Sequence, residues 1–411
     1  MVDQAWGGGA ASLSGVRVAD FSRVLAGPYA TMMLADLGAD VIKIESPEGD
    51  GTRQWSPPVN RAGQSTYFAA ANRGKRSVVC DLRDPEGLAR AREYAATADV
   101  VIENFKPGTM ERFGLGYEEI AAVNPGVVYC SISGFGDGAG RELPGYDLLV
   151  QAVGGLMSVT GRPDADGGEP TKVGVALVDI LTGLNAVIGI QAALLARGAP
   201  EHGGSGRGQH VKVTLLGSLL SALSNQASAA LATGVSPGRL GNAHPSITPY
   251  ETFETADQPI ALAVGTDAQF ARVCRILGVA SAAEDPRFAD NPSRVAHRAE
   301  LRGLLLDRLR ERPAAEWIDA FTAEQVPAGR VNTIAQAFEL ADVLGLGLVV
   351  ETPALDPDGR ECVVRSVATP ISLSGTPVRA TMPPPGLGEH QAARWLPRER
   401  PDLPPTVKEI P

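Results

Sequence analysis

The chain has 411 residues, 44% hydrophobic and 20% charged, a balance that excludes fibrous and intrinsically disordered proteins. Its length predicts two domains, or one large domain with an insertion. The formal net charge of −10 repels a nucleic-acid backbone and no basic stripe reverses it locally, so nucleic acid is excluded as a partner.

The first half of the chain alternates strand and helix patterns. A β-branched run at 16–22, a helical pattern at 26–39 and a second run at 40–46 predict a βαβ unit, with Gly38 placed to end the helix. The alternation continues in the strand patterns at 75–82, 99–105 and 126–136 and the helical patterns at 85–98 and 117–124. We therefore predict a parallel, doubly wound α/β sheet.

The middle of the chain is mostly helical. Helical patterns at 146–161 and 181–197 precede a strand at 209–216 and a helix that runs to Ala232. Segment 173–196 is apolar enough to suggest a membrane span, but Asn185, Gln191 and several glycines interrupt it. We predict a buried core helix there, and no membrane partner.

These patterns divide the chain into three segments. Residues 13–232 form the first part of a large domain, 233–335 a smaller α/β domain, and 336–411 a C-terminal segment that returns to the large domain. The small domain contains a hairpin that turns at 256–258 and charged amphipathic helices at 294–312. Irregular strands and a proline-rich tail that wraps a surface are expected after Val349.

Several kinds of site are excluded by missing motifs. The first strand-to-helix turn has one glycine instead of GxGxxG, so neither a nicotinamide nor a flavin cofactor is expected. The Walker pattern, a GxSxG elbow between a strand and a helix, and HExxH are also missing, and the five histidines lack metal-ligand spacing. The cysteines lack zinc or disulfide spacing: Cys80, Cys130, Cys274 and Cys362. We expect a reducing, cytoplasmic location, no signal peptide in 1–14, and no metal.

Asp179 is the sharpest local anomaly in the sequence. It is the only charged residue of segment 173–196, so it must be buried or lie at the mouth of a cleft. A long helix that starts near Thr182 would hold a nearby carboxylate in its ionised form through free N–H groups. On the pattern alone, a catalytic nucleophile and a helix-capping structural acid remain equally open.

Eight motifs in order resemble the class III coenzyme A (CoA) transferase family, and they span residues 13–390. They read LSGVRVADFSRVLAGPYATMMLADLGADVIKIESP, NRGKRSVVCDL, ADVVIENFKPGTMERFGLGYE, PGYDLLVQAVGGLMSVTG, GRGQHVKVTLL, GNAHPSITPY, VPAGRVNT and LGEH. The resemblance implies an interlocked homodimer whose subunits each have a Rossmann-like large domain and a smaller inserted α/β domain. It also implies that Asp179 is the catalytic aspartate, which carries the acyl group as a mixed anhydride and then CoA as a thioester.

The resemblance also assigns residues that contact CoA. It implies Ala26 near the thioester, Gly145 and Tyr146 along the pantetheine arm, and a set near the nucleotide: Arg83, Asn104, Phe105, Lys106 and Arg112. The cations among them suit phosphate, although solvated surface charge is the alternative. Phe105 either stacks on adenine or packs beneath a loop.

Substrate choice rests on two further positions. Formyl-CoA transferases have glutamine where this chain has Leu25 and a polyglycine loop where it has the GNAHP motif, so oxalate is disfavoured. The resemblance favours succinyl-CoA or another short dicarboxyl-CoA as donor and a carboxylic acid as acceptor, with His244 either contacting the acceptor or serving as a structural histidine. Two alternatives stay open: an α-methylacyl-CoA racemase, which would need histidine at Tyr146, and a non-catalytic CoA-binding protein.

Overall fold

The protein is built around a six-stranded parallel sheet. The computed structural model describes residues 11–198, 203–378 and 382–398; most of segment 1–14, His202 and the end of the chain lie outside them. The strands are β1 Arg17–Asp20, β2 Asp40–Glu45, β3 Lys75–Val79, β4 Val100–Glu103, β5 Val128–Ser133, β6 His210–Thr214, β7 Tyr250–Phe253, β8 Ile260–Ala263, β9 Ala328–Arg330, β10 Val349–Leu355 and β11 Glu361–Val367.

Helices connect and cover these strands. They are α1 Ala26–Asp36, α2 Thr66–Ala69, α3 Pro85–Thr97, α4 Thr109–Arg112, α5 Tyr117–Val123, α6 Asp147–Val153, α7 Leu156–Val159, α8 Leu177–Arg197, α9 Leu215–Ala222, α10 Ser224–Thr233, α11 Asp267–Ile276, α12 Asn291–Ala296, α13 Arg298–Leu309, α14 Ala314–Ala323 and α15 Ile334–Val343. Short 3₁₀ helices occur at Gly51–Gln54, Asp164–Asp166 and Ala280–Ala283.

The sheet has the strand order β3-β2-β1-β4-β5-β6, and each neighbouring pair is parallel. The predicted parallel α/β sheet is therefore confirmed. The strand order reverses between β1 and β4, so the loops after these strands diverge and leave a crevice at their carboxyl ends. Ligands of open α/β sheets bind at such a position.

The chain divides into two compact units. The first comprises Met1–Gly155, Val173–Ser228 and Gly347–Pro411, and the second comprises Leu156–Lys172 and Ala229–Leu346. This division differs from the predicted limits at 232 and 335, and a side chain distant in sequence explains part of the difference. Arg239 donates from its backbone to Asp164 (3.0 Å) and from its guanidinium to the Gly168 carbonyl (2.9 Å), which joins the segment before Val173 to the second unit.

The second unit has its own sheet and core. Strands β7, β8 and β9 pair antiparallel, and the predicted hairpin between β7 and β8 is confirmed. Its core includes Phe270, Leu305, Trp317 and Phe321, all buried. Helices α12 and α13 fall in the region where charged amphipathic helices are predicted.

The C-terminal part of the first unit is more regular than predicted. Strands β10 and β11 form an antiparallel hairpin instead of irregular strands. Beyond it, the chain runs along the edge of β3, where the His390 N–H donates to the Ser77 carbonyl (2.9 Å). The Gln391 side chain accepts from the Val79 N–H and donates to the Val79 carbonyl, both at 2.9 Å. This segment therefore covers an otherwise open sheet edge.

Helix α8 begins four residues before the predicted start and is only partly buried. One face, which includes Val187 and Ile190, is buried, whereas Ile188 and Leu195 on the other are 64% and 83% exposed. Among the described residues it is the one helix whose length and composition would suffice to cross a membrane. Of its most apolar 18-residue stretch, 39% is buried. The predicted core helix is thus a half-covered helix.

Candidate active site

A cleft of about 520 Å³ opens at the carboxyl ends of β1, β4 and β5. Its walls are the loops 23–26, 104–107, 132–136 and 140–147, with Asp179 from the first turn of α8. This volume lies in the usual range for small-molecule sites, and the place is the switch point of the sheet.

The cleft brings together most of the residues predicted for the site. Its lining includes the following eight: Leu25, Ala26, Asn104, Phe105, Lys106, Gly145, Tyr146 and Asp179. Asp179, the expected nucleophile, therefore lies on the same cleft as the residues expected to contact CoA.

Three predicted residues do not line this cleft. Arg83 is exposed and pairs with Asp81 (2.9 Å) and Glu48 (3.6 Å). Arg112 is exposed at the end of α4. His244 belongs to the second unit, where its Nδ1 accepts from Ser246 N–H (3.1 Å). Their contacts with ligand stay predictions.

Gly183 brings α8 close to the start of α1. A Cβ at Gly183 would lie 2.7 Å from the Ala26 carbonyl oxygen, so this approach requires glycine. Asp179 lies four residues earlier, on the same face of α8. The packing therefore directs Asp179 toward the first turn of α1.

The amino terminus of α8 is capped by Asp147, the first residue of α6. Its Oδ2 accepts from the backbone N–H groups of Val178 (2.8 Å) and Asp179 (3.3 Å). Its Oδ1 accepts from Gln151 Nε2 (2.6 Å), and Gln151 accepts in turn from the Val173 N–H (2.9 Å). The prediction that these helix amides hold Asp179 ionised is wrong, because they bind a different carboxylate.

The ionised form of Asp179 is consequently destabilised. Burial and, to a smaller extent, the negative charge of Asp147 together raise its pKa to about 7. Burial also raises the pKa of the Tyr67 phenol, with added contributions from Asp179 and Asp147. A carboxylate in such surroundings is poorly solvated, and this favours its reaction with an electrophile.

A buried ion pair supports the loop after β1. Lys43 donates to Asp50 (3.0 Å) and to the Ser22 carbonyl (2.9 Å), and both charged side chains have zero exposure. Asp50 also accepts from the backbone N–H of Val24 (3.2 Å), which adopts a left-handed φ of 70°. The pair therefore fixes the strained turn that leads into Leu25.

The first turn of α1 presents free backbone donors to the cleft. Helix α1 begins at Ala26, and Leu25, the residue before it, makes no side-chain capping hydrogen bond. Pro28 has no N–H, so the donors of this turn are those of Ala26 and Gly27. Leu25 and Ala26 line the cleft with Asp179. Amides at a helix start are suited to stabilise an oxyanion that forms beside the nucleophile.

A second buried pair lies beneath the same turn. Lys75 bonds Asp20 (3.1 Å) and the Pro28 carbonyl (2.9 Å). Burial alone would raise the pKa of Asp20, but Lys75, Lys43 and hydroxyl donors outweigh it and lower that pKa to about 2. Burial lowers the pKa of Lys75 to about 8 despite the attraction of Asp20.

Asn104 joins the loops after β1 and β4. Its Oδ1 accepts from the Arg23 N–H (2.8 Å), and its Nδ2 donates to the Arg23 carbonyl (2.6 Å). The Arg23 guanidinium lies 4.3 Å from the centre of the Phe105 ring. Glu103 accepts from the Phe105 N–H (2.9 Å) and shapes this turn. Asn104 thus positions the cleft wall through the backbone.

Sequence reasoning missed several of these residues. The weak signal for Lys43 is a charge inside the apolar strand run DVIKIE, a residue type that is buried only when paired. Asp147, Arg23 and Arg141 also line the cleft, and nothing in their local sequence distinguishes them from surface charges. Within the described residues, no group of three or more histidine, cysteine or acidic side chains has the arrangement of a metal site.

Comparisons with known proteins agree on one family. The family model described as CoA-transferase family III matches residues 13–391. The succinate–glutarate CoA-transferase of Agrobacterium fabrum is 47% identical over 92% of this chain and 94% of its own length. The human succinyl-CoA:glutarate CoA-transferase is 38% identical over 92% of this chain and 84% of its own. A solved CAIB/BAIF family protein from Brucella suis is 43% identical, with a TM-score of 0.81 over 93% of this chain and 98% of its own.

Proposed function

Because this chain belongs to CoA-transferase family III, we propose that it moves CoA from succinyl-CoA, or a similar short dicarboxyl-CoA, to a second carboxylic acid through intermediates on Asp179. The observation that carries the proposal is the position of Asp179, an acid with a raised pKa, on the cleft that also holds the start of α1 and Lys106. The dicarboxylate substrates are suggested by the names of the relatives from Agrobacterium fabrum and human.

The proposed reaction proceeds through two exchanges. An Asp179 carboxylate oxygen attacks the donor thioester carbonyl, the C–S bond breaks, and CoA leaves as a thiolate, which gives a mixed anhydride. The thiolate attacks the Asp179 carbonyl carbon, the anhydride C–O bond breaks, and the donor acid leaves as a carboxylate. The acceptor carboxylate reverses both steps on the aspartyl-CoA thioester. No net proton is exchanged.

Residues of the cleft have separate parts in this proposal. The backbone amides at the start of α1 stabilise the oxyanion formed in each attack. Asp147 and Gly183 hold the first turn of α8 in place so that Asp179 faces these amides. Lys106 and Arg141 attract the phosphates of CoA.

Exclusion of water is a requirement of this chemistry, because a mixed anhydride hydrolyses readily. Asp179 is partly buried in the subunit alone, and this burial raises its pKa. Bound CoA would cover the open side of the cleft.

A homodimer is the second part of the proposal. The exposed apolar face of α8, which includes Ile188 and Leu195, supports a second copy of the chain as its cover. Sedimentation of the purified protein tests this assembly, and a monomer at micromolar concentration would reject it. A cytoplasmic location stays a prediction.

A transfer assay tests the proposed activity. Purified protein is mixed with succinyl-CoA and, one at a time, with glutarate and other mono- and dicarboxylic acids, and new thioesters are measured by mass spectrometry. We expect glutaryl-CoA to form, and D179N to form none. Loss of the α-proton of a 2-methylacyl-CoA in heavy water without any acceptor acid would instead support racemisation, and CoA binding without either reaction would support a non-catalytic protein.

A further inference from the structure

Three charged side chains form an ion-pair cluster on the cleft wall: Lys106, Arg141 and Glu142. Lys106 Nζ is ion-paired with Glu142 Oε2, and Arg141 Nε lies 3.6 Å from Glu142 Oε1. Arg141 also donates from Nη2 to the Pro107 carbonyl (3.4 Å), which keeps its guanidinium beside the loop that carries Lys106. All three side chains line the cleft.

The cluster contributes little to the fold. The side chains of Lys106, Glu142 and Arg141 are 58%, 69% and 50% exposed. Exposed ion pairs of this kind are weak, and either partner exchanges readily for another ion. The hydrogen bond and charge of Lys106 lower the pKa of Glu142, so its carboxylate is ionised at neutral pH.

A phosphate is a stronger ligand than this carboxylate for the two cations. It offers three acceptor oxygens and a higher charge, and guanidinium groups bind phosphate oxygens in pairs. Glu142 and a phosphate would compete for the same donors on Lys106 and Arg141.

We propose that Glu142 is an internal competitor for the phosphates of CoA, which occupies Lys106 and Arg141 in the free protein and is displaced when CoA binds. The inference rests on the proposed function, since it assumes that CoA is the ligand. Glu142 weakens binding and speeds the release of acyl-CoA, because it rebinds the two cations as the phosphates leave.

Calorimetric titration with CoA of wild type and E142Q tests the inference. We expect E142Q to lower the Kd for CoA by about three- to tenfold, with a steeper rise of Kd with salt. E311Q is the matched control, since Glu311 also pairs with an exposed arginine, Arg308 (2.6 Å), outside the cleft; its Kd should equal that of the wild type. An unchanged or higher Kd for E142Q overturns the inference.

Two further measurements identify the contact. The gain in affinity of E142Q over the wild type should be absent for a pantetheine thioester, which lacks the nucleotide phosphates. If the gain persists with dephospho-CoA, Glu142 competes with the diphosphate; if it is lost, Glu142 competes with the 3′-phosphate. In a K106M background, E142Q should increase the affinity for CoA less than it does in the wild-type background. An equal increase in both backgrounds contradicts competition at Lys106. If the wild-type protein neither binds nor transfers CoA, the proposed function itself is rejected. The comparison of E142Q with the wild type tests only the role of Glu142.

Discussion

Asp147 caps the helix that carries Asp179, and it accepts the Asp179 N–H directly, at 3.3 Å from its Oδ2. The same carboxylate that fixes the backbone of the candidate nucleophile also opposes its ionisation. One acid thus provides both the position of Asp179 and part of its raised pKa. Helix capping, one of the two open interpretations of position 179, is carried out by Asp147 instead.

Activity should depend on pH through Asp179. Because the nucleophile is the ionised form and its pKa in the free protein is about 7, kcat/KM for succinyl-CoA should rise with pH up to about 7 and level off above it. Replacing Asp147 by asparagine keeps an oxygen acceptor for the α8 amides and removes the like charge. The midpoint of the D147N profile should therefore move to lower pH, by about 1 unit.

The pH-rate profiles of wild type, D147N and D358N check this expectation. Asp358 is an exposed acid in the turn between β10 and β11 and pairs with Arg360 (3.2 Å), so D358N makes the same chemical change away from the cleft and should keep the wild-type midpoint. A D147N midpoint equal to or above that of the wild type contradicts the role given to Asp147.

D179N should be more stable than the wild type at neutral pH. The folded-state pKa of Asp179 is raised above its unfolded value of 3.8, so wild-type stability falls as pH rises from about 4 to about 7 and stays lower above 7. The asparagine variant has no such loss. We expect a gain of about 1–3 kcal/mol at pH 8 and almost none at pH 4. Urea unfolding at both pH values measures it, and a gain of equal size at both would refute the explanation.

The contact between Gly183 and Ala26 should tolerate no side chain. A methyl group at Gly183 would meet the Ala26 carbonyl at 2.7 Å, a backbone atom that moves only with α1. G183A should lower kcat by at least about tenfold and destabilise the protein by about 1–3 kcal/mol, because α8 and α1 must separate. G303A, in α13 with open space around it, is the matched control and should be neutral or stabilising. Full activity of G183A would show that this spacing is unimportant.

The buried pair of Lys43 and Asp50 should be sensitive to removal of one partner. K43M leaves the Asp50 carboxylate buried without its cation, and we expect a loss of about 3–5 kcal/mol in the free energy of unfolding. The double variant K43M/D50N also removes the unpaired negative charge of Asp50 and should recover part of the lost stability. Denaturant unfolding of both variants measures the difference; equal losses in the two would mean that the charge pairing is not the cause.

The sheet was predictable from sequence because each strand carries its own signal. Strands such as β2 and β4 are short apolar runs bounded by helix patterns, as is typical of parallel strands buried on both faces. The position of Asp179 at a cleft was predictable because a lone charge in a long apolar segment is itself unusual. The placement of most CoA-contact candidates on one cleft follows from the carboxyl ends of the parallel strands.

Features made by contacts distant in sequence were not predictable in this way. The start of α8 was placed too late because its cap, Asp147, comes from another helix 31 residues before Val178. The grouping of Leu156–Lys172 with the second unit depends on Arg239, which binds a segment 75 residues earlier. In both cases the local sequence of the partner resembles that of polar residues on any protein surface, and only the fold brings the groups together.

Covalent trapping on Asp179 tests the central claim most directly. Protein incubated with succinyl-CoA is treated with hydroxylamine, digested and analysed by mass spectrometry for hydroxamates on acidic residues. The account predicts a hydroxamate on Asp179, and none when D179N is used or succinyl-CoA is omitted. A hydroxamate on a different acid, or none on Asp179 in protein that transfers CoA, would contradict it.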